Sequence, residues 1–269
     1  SRMNGSLDRS ACTKQDETLL MTKTTSINLG FISSGSPSSP HYSSFTTLLP
    51  NDVKIQFEGL HLHQRSLYDL KGKKEIFLSK IKDLVQKNRW DGLIVSGAPS
   101  EVLNPGLLTD LKSNIKIPVT TALNACVAAL RTYRKNRVLL MTPFDEGMNR
   151  LICDYLSNAG ITAPAPHPFN QLGEAIRLKP EEVYDLTRKV FGEMEKPEAI
   201  YFQGAVLDPL KVLERIETDL DTTVVASNPA MLWFIVSKLG RSYKIPGYGK
   251  LLSHWPALSQ EVQVASHGC

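Results

Sequence analysis

Side chains able to move a proton near neutral pH are few in this chain, and they are scattered. Histidine suits the task because its ordinary pKa lies close to the working pH. His167 stands in Pro166-His167-Pro168-Phe169-Asn170, just after a short apolar run, and is the leading acid/base candidate. His41, beside Tyr42, follows the loop Ser33-Ser34-Gly35-Ser36 and fits a gating or proton-moving role on a substrate-covering segment. Glu101 can act as a general base where a dry pocket lifts its carboxyl toward neutrality, against the plainer role of a solvated carboxylate at a helix start. His61 and His63 flank Leu62, and strand alternation would set both on one face. No third ligand follows at a metal-binding spacing, so no metal site is expected.

A thiolate is the other common nucleophile or base. Of the four cysteines, Cys12 and Cys269 fall in terminal stretches, while Cys126 and Cys153 lie inside helix-like segments, where core packing is the expected role. None forms a CxxC pair, and 269 residues need no disulfide staples, so a reducing, cytoplasmic compartment is expected. The remaining chemistry sits in loops of small and polar residues: Ser34-Gly35, Gly97-Ala98-Pro99-Ser100, Thr142-Pro143-Phe144, Gln203-Gly204-Ala205, Ser227-Asn228 and Gly247-Tyr248-Gly249. They carry hydroxyls, amides and glycine but no Lys or Arg, and no P-loop or GxGxxG occurs. Such loops suit a carboxylate or enolate held by neutral donors rather than a phosphate.

What must position these loops is a set of short apolar runs alternating with amphipathic stretches, the pattern of a parallel sheet covered by helices. Ile27–Ile32, Lys54–Leu60, Gly92–Val95, Pro118–Thr121, Val138–Met141, Ile161–Ala163, Ala199–Phe202 and Thr223–Ala226 read as strands. Helices are predicted over 76–87, 122–133, 146–159, 180–194, 209–220 and 229–239, with Gly160 and Pro180 as end and start signals. Asp208 is expected to cap the helix beginning at Pro209. The fold expected is α/β, with two pseudo-symmetric lobes, each a mainly parallel four-stranded sheet flanked by helices, and a cleft between them. Residues 26–121 with 228–255 make the first lobe and 122–227 the second. Residues 1–25 are a flexible extension and 256–269 a tail. A single doubly wound domain is the alternative.

Composition narrows the partners. Net charge is +4, from 31 basic and 27 acidic residues, and the basic residues form only short clusters without interleaved aromatics. Neither nucleic acid nor a membrane is therefore expected as a partner. A small-molecule substrate is, with a homo-oligomer as a weaker expectation.

The residues also carry a resemblance. Ile117-Pro118-Val119-Thr120-Thr121-Ala122, the stretch 137–149 containing Thr142-Pro143-Phe144-Asp145-Glu146-Gly147, the stretch 224–233 containing Ser227-Asn228-Pro229, and Pro246-Gly247-Tyr248-Gly249-Lys250-Leu251 occur in an order that resembles the aspartate/glutamate racemase superfamily. The likeness is strongest to its arylmalonate decarboxylase and maleate cis-trans isomerase branch, and it covers about Ile27 to Leu252. It implies cofactor-free chemistry at a carbon next to a carboxylate, performed by cysteine thiols in a cleft between lobes. The first-lobe thiol position falls at Gly97 or Ala98 and the second-lobe one at Gly204, so neither thiol is present. The family's Thr-Pro-Tyr reads Thr142-Pro143-Phe144 here, and only Ser100 supplies a hydroxyl in its dioxyanion loop.

Two functions remain. One is a cofactor-independent isomerase, lyase or cyclase of specialised metabolism, acting on a small, largely apolar carboxylate or carbonyl compound by positioning and polarisation. The other is a ligand-binding pseudoenzyme. A closed cleft with His167, His41 or Glu101 pointing inward favours catalysis, whereas one lined only by neutral groups favours binding or positioning alone.

Overall fold

The computed structural model describes residues 25–37 and 41–259. Among the described residues seven strands form: β1 Ile27–Ser33, β2 Val53–Gly59, β3 Gly92–Val95, β4 Val119–Thr121, β5 Val138–Met141, β6 Ala199–Phe202 and β7 Thr223–Ala226. The helices are α1 His41–Thr46, α2 Lys74–Lys87, α3 Ala98–Val102, α4 Leu107–Asn114, α5 Ala122–Thr132, α6 Glu146–Asn158, α7 Leu172–Ile176, α8 Pro180–Glu193, α9 Leu213–Asp219, α10 Ser227–Lys238 and α11 Lys250–His254. A 3-10 turn, Leu67–Leu70, precedes α2. The N-terminal extension to residue 24, with Cys12, and residues 260–269, with Cys269, lie outside the described residues.

Two parallel sheets result, ordered β2-β1-β3-β4 and β5-β6-β7. Strands β3, β5 and β6 are runs of four apolar or small residues, all buried, as befits strands covered on both faces. Strand β2 instead alternates, with Lys54, Gln56 and Glu58 turned outward, which suits an edge.

The second sheet has three strands where four are expected from the sequence. Residues 161–163 do run parallel to β5, but only Arg137 and Thr162 form a bridge, held by Thr162 N to Asn136 O at 2.8 Å and Val138 N to Thr162 O at 2.9 Å. One more bond follows, Leu140 N to Pro164 O at 3.0 Å, but Pro164 and Pro166 lack N–H donors and return none, so no regular strand forms. Placed beside β5 as β2 lies beside β1, this segment gives both sheets one strand plan, incomplete in the second.

Helix α10 is apolar around its circumference, with residues 227–236 all buried, because it is covered on every side. It packs against α5, α11, β3 and β4. Amphipathic α8 instead buries Val183, Tyr184, Thr187 and Val190 along one face and starts with Pro180 at its first position. Helix α9 begins at Leu213 rather than Pro209. Asp208 Oδ1 caps only a turn, at Leu210 N (2.9 Å), while its Oδ2 accepts from Ser44 Oγ of α1 (2.7 Å). Among the described residues no helix is long and apolar enough to cross a membrane.

Candidate active site

In parallel sheets all strand carboxyl ends point the same way, and the loops there share one space. From the first sheet come Ser34 and Gly35 after β1, Gly97 and Pro99 after β3, and Ala122 at the start of α5. The second contributes Phe144 after β5, Gln203, Gly204 and Ala205 after β6, and Ser227 and Asn228 after β7. Together they enclose a cavity of about 310 Å³, the size of a small organic ligand.

The other residues expected from the sequence lie off this wall. Ala98 and Ser100 are buried in α3, behind Gly97 and Pro99. Tyr248 is half-buried elsewhere. His167 packs edge-on against Phe169 with ring centroids 5.1 Å apart, and it does not reach the cavity. His41 begins α1, and its side chain lies outside the described residues.

Gly97 and Gly204, the two glycines expected from the resemblance to stand at thiol positions, differ sharply. Both have backbone angles that favour glycine, φ +90° at Gly97 and +95° at Gly204. A Cβ on Gly97 would find nothing nearer than Ser100 Oγ at 3.9 Å. On Gly204 it would meet Pro143 Cδ at 2.8 Å and Phe144 Cζ at 3.1 Å. The space beside Gly204 is therefore filled by the Pro143-Phe144 corner.

In and behind the wall lies a buried polar network. The Tyr201 hydroxyl donates to Gln203 Oε1 at 2.5 Å, which fixes the amide so that Nε2 is left as a buried donor without a partner. The Cys126 thiol, against Tyr201, is pushed up to about 12 by burial, and burial raises the Tyr201 phenol well above its ordinary value. Glu101, 5% exposed, accepts from Thr121 Oγ1 at 3.1 Å. Burial raises its carboxyl despite the hydrogen bonds from Thr121 and Tyr155, so it tends to keep its proton. It is neither a solvated helix-start carboxylate nor a group on the cavity wall.

The titratable side chains on the wall, among the described residues, are Tyr42 and His63. Tyr42 donates to Ser36 O at 3.1 Å. His63 approaches so closely that a Cβ on Gly35 would lie 2.8 Å from its Nε2. Burial lowers the His63 pKa, partly offset by the Asp69 carboxylate and reinforced by Lys73, so the imidazole is neutral at pH 7. Helices α5 and α10 also bring their N-terminal residues Ala122, Ser227 and Asn228 to the wall, where backbone N–H groups favour negative charge. Such a site can bind and polarise a carboxylate or carbonyl with neutral donors, and holds one neutral imidazole as a proton acceptor.

His63 was visible in sequence only as half of a pair with His61. The structure separates the two: His61 has φ +52° and is exposed, whereas His63 is half-buried on the cavity wall. No three His, Cys, Asp or Glu side chains gather in a metal-binding group among the described residues.

A family model described as arylmalonate decarboxylase matches residues 100–252. Arylmalonate decarboxylase of Bordetella bronchiseptica is 26% identical over 151 residues, 55% of this chain and 63% of that protein, so the match spans less than two thirds of its relative. A crystal structure of arylmalonate decarboxylase superposes with a TM-score of 0.69 at 20% identity, covering 84% of this chain and 99% of that one. A cysteine-to-alanine variant of maleate isomerase of Pseudomonas putida, solved with maleate, gives 0.66 at 17% identity over 85% and 98% of the two chains. A variant of Nocardia farcinica maleate cis-trans isomerase, carrying a covalently bound succinylcysteine intermediate, gives 0.64 at 18% over 85% and 98%. At these identities the structural likeness shows a common fold.

Proposed function

The chain belongs to the arylmalonate decarboxylase family, and we propose that within it this protein is a cofactor-independent isomerase- or lyase-type enzyme that works without a thiol. Its substrate is a small, largely apolar carboxylate or carbonyl compound. One observation carries the reading: the cavity wall brings an unpartnered Gln203 Nε2, the first turns of α5 and α10, and a neutral imidazole around a space free of ionised side chains among the described residues.

In such a site the substrate oxygens lie on Gln203 Nε2 and the N–H groups at Ala122, Ser227 and Asn228. Negative charge growing on those oxygens as an α-bond breaks is stabilised by fixed donors. His63 takes the proton-accepting role for which the sequence nominates His167, because it reaches the cavity and burial keeps it unprotonated. Glu101 supports the wall through Thr121, which also caps α5 by accepting from Asn124 N at 3.1 Å.

The second reading, a ligand-binding protein without turnover, is favoured by the filled thiol position at Gly204. Incubation with α-aryl and α-alkenyl malonates and with maleate in heavy water, followed by proton NMR, separates the two. Turnover or deuterium uptake next to a carboxylate is expected, with a loss of about a hundredfold in Gln203→Ala and in His63→Gln. Tight binding without exchange would leave the non-catalytic reading standing. Full activity in both variants would overturn the mechanism.

A further inference from the structure

A second hollow of about 300 Å³ adjoins the first, and the two share Leu67, Phe144 and Leu172 as a common wall. These three side chains come from the 3-10 turn, the loop after β5 and the start of α7, so the partition is assembled from segments distant in sequence. Its character differs from that of the neutral cavity. Met148, Phe169 and the shared wall make an apolar floor, while Arg65 and the amides of Asn170 and Gln171 stand at an exposed rim.

Arg65 makes no ion pair among the described residues. The one acidic side chain in the lining, Asp145, is already committed. Its Oδ1 accepts from Tyr68 Oη at 2.7 Å and from Met148 N at 2.9 Å, the latter as the cap of α6. An apolar floor ending in a lone guanidinium matches a hydrocarbon segment ending in an acid group.

The geometry points to a substrate longer than the first cavity, one whose reacting end lies at Gln203 and whose apolar chain crosses Leu67, Phe144 and Leu172 to a distal carboxylate at Arg65. The inference rests on the reading of the first cavity given above. It defines the substrate class as an elongated acid with a second, remote anionic group. Arg65 is then a specificity residue that never meets the reacting atoms.

Calorimetric titration of the full chain with straight-chain acids tests this. The probes are the dicarboxylates succinate, suberate and sebacate, each paired with its monocarboxylate, butyrate, octanoate or decanoate. Sebacate is expected to bind about fivefold more tightly than decanoate at low salt, the advantage shrinking as salt rises, while succinate gains nothing over butyrate. Arg65→Gln removes the advantage and leaves decanoate binding unchanged, and Arg65→Lys restores part of it. Gln203→Ala weakens both members of every pair. If decanoate binds and depends on Gln203 while Arg65→Gln leaves sebacate untouched, the second compartment is overturned and the first reading stands. If no acid binds the unmodified protein, both fall.

Discussion

A cysteine placed at Gly204 meets the Pro143 ring, which cannot rotate away, and must also adopt φ +95°. The same change at Gly97 bears only the backbone strain. Gly204→Cys is therefore expected to destabilise the protein by about 2 to 4 kcal/mol and Gly97→Cys by about 1 kcal/mol, read from urea unfolding midpoints. Equal losses would show that Pro143 and Phe144 yield. Glu101 offers a second test at this scale. Because its folded pKa is raised above the ordinary 4.5, the native state holds a proton that the unfolded chain gives up. The associated stability is complete below about pH 4.5 and declines as pH rises through the folded value. Relative to Glu101→Gln, the unmodified protein should thus lose stability as pH rises above about 4.5, and a flat difference would refute the raised carboxyl.

Among the elements, α6 depends visibly on one side chain. Asp145 caps it and also receives the Tyr68 hydroxyl, tying the 3-10 turn to the second sheet's side of the cleft. Asp145→Ala should cost about 1 to 2 kcal/mol in thermal or chemical unfolding. Asp145→Asn, which keeps an accepting oxygen, should recover most of it. Elements like β3, β5, β6 and β7 were legible to the residue, since a four-residue apolar or small-residue run between turn signals has only one place to start and stop. The start of α9 was not, because Asp208 serves a partner 164 positions away and caps only a turn. The same limit applies to the site. Loops at strand ends announced Gly97, Gln203 and Ser227, whose places follow from topology. His63 packs where Gly35 has no side chain, a close approach that leaves no periodic signal.

At the scale of the molecule, one continuous apolar core runs through both lobes, and α10 joins it from β3 and β4 across to α5. Ser44–Asp208 and Tyr68–Asp145 add polar ties between the two halves. The chain should therefore unfold in a single transition, with calorimetric and van't Hoff enthalpies equal; two resolved transitions would show that the lobes are independent. The unequal surroundings of Gly97 and Gly204 have a consequence for this whole arrangement. On the function proposed above, a flat, trigonal carbon held between the two glycines is expected to meet the Phe144 ring on the Gly204 side and open space on the Gly97 side. A new bond to it is then expected from the Gly97 side, giving a single mirror-image product whose handedness is set by a phenylalanine that performs no chemistry; a racemic product would refute this.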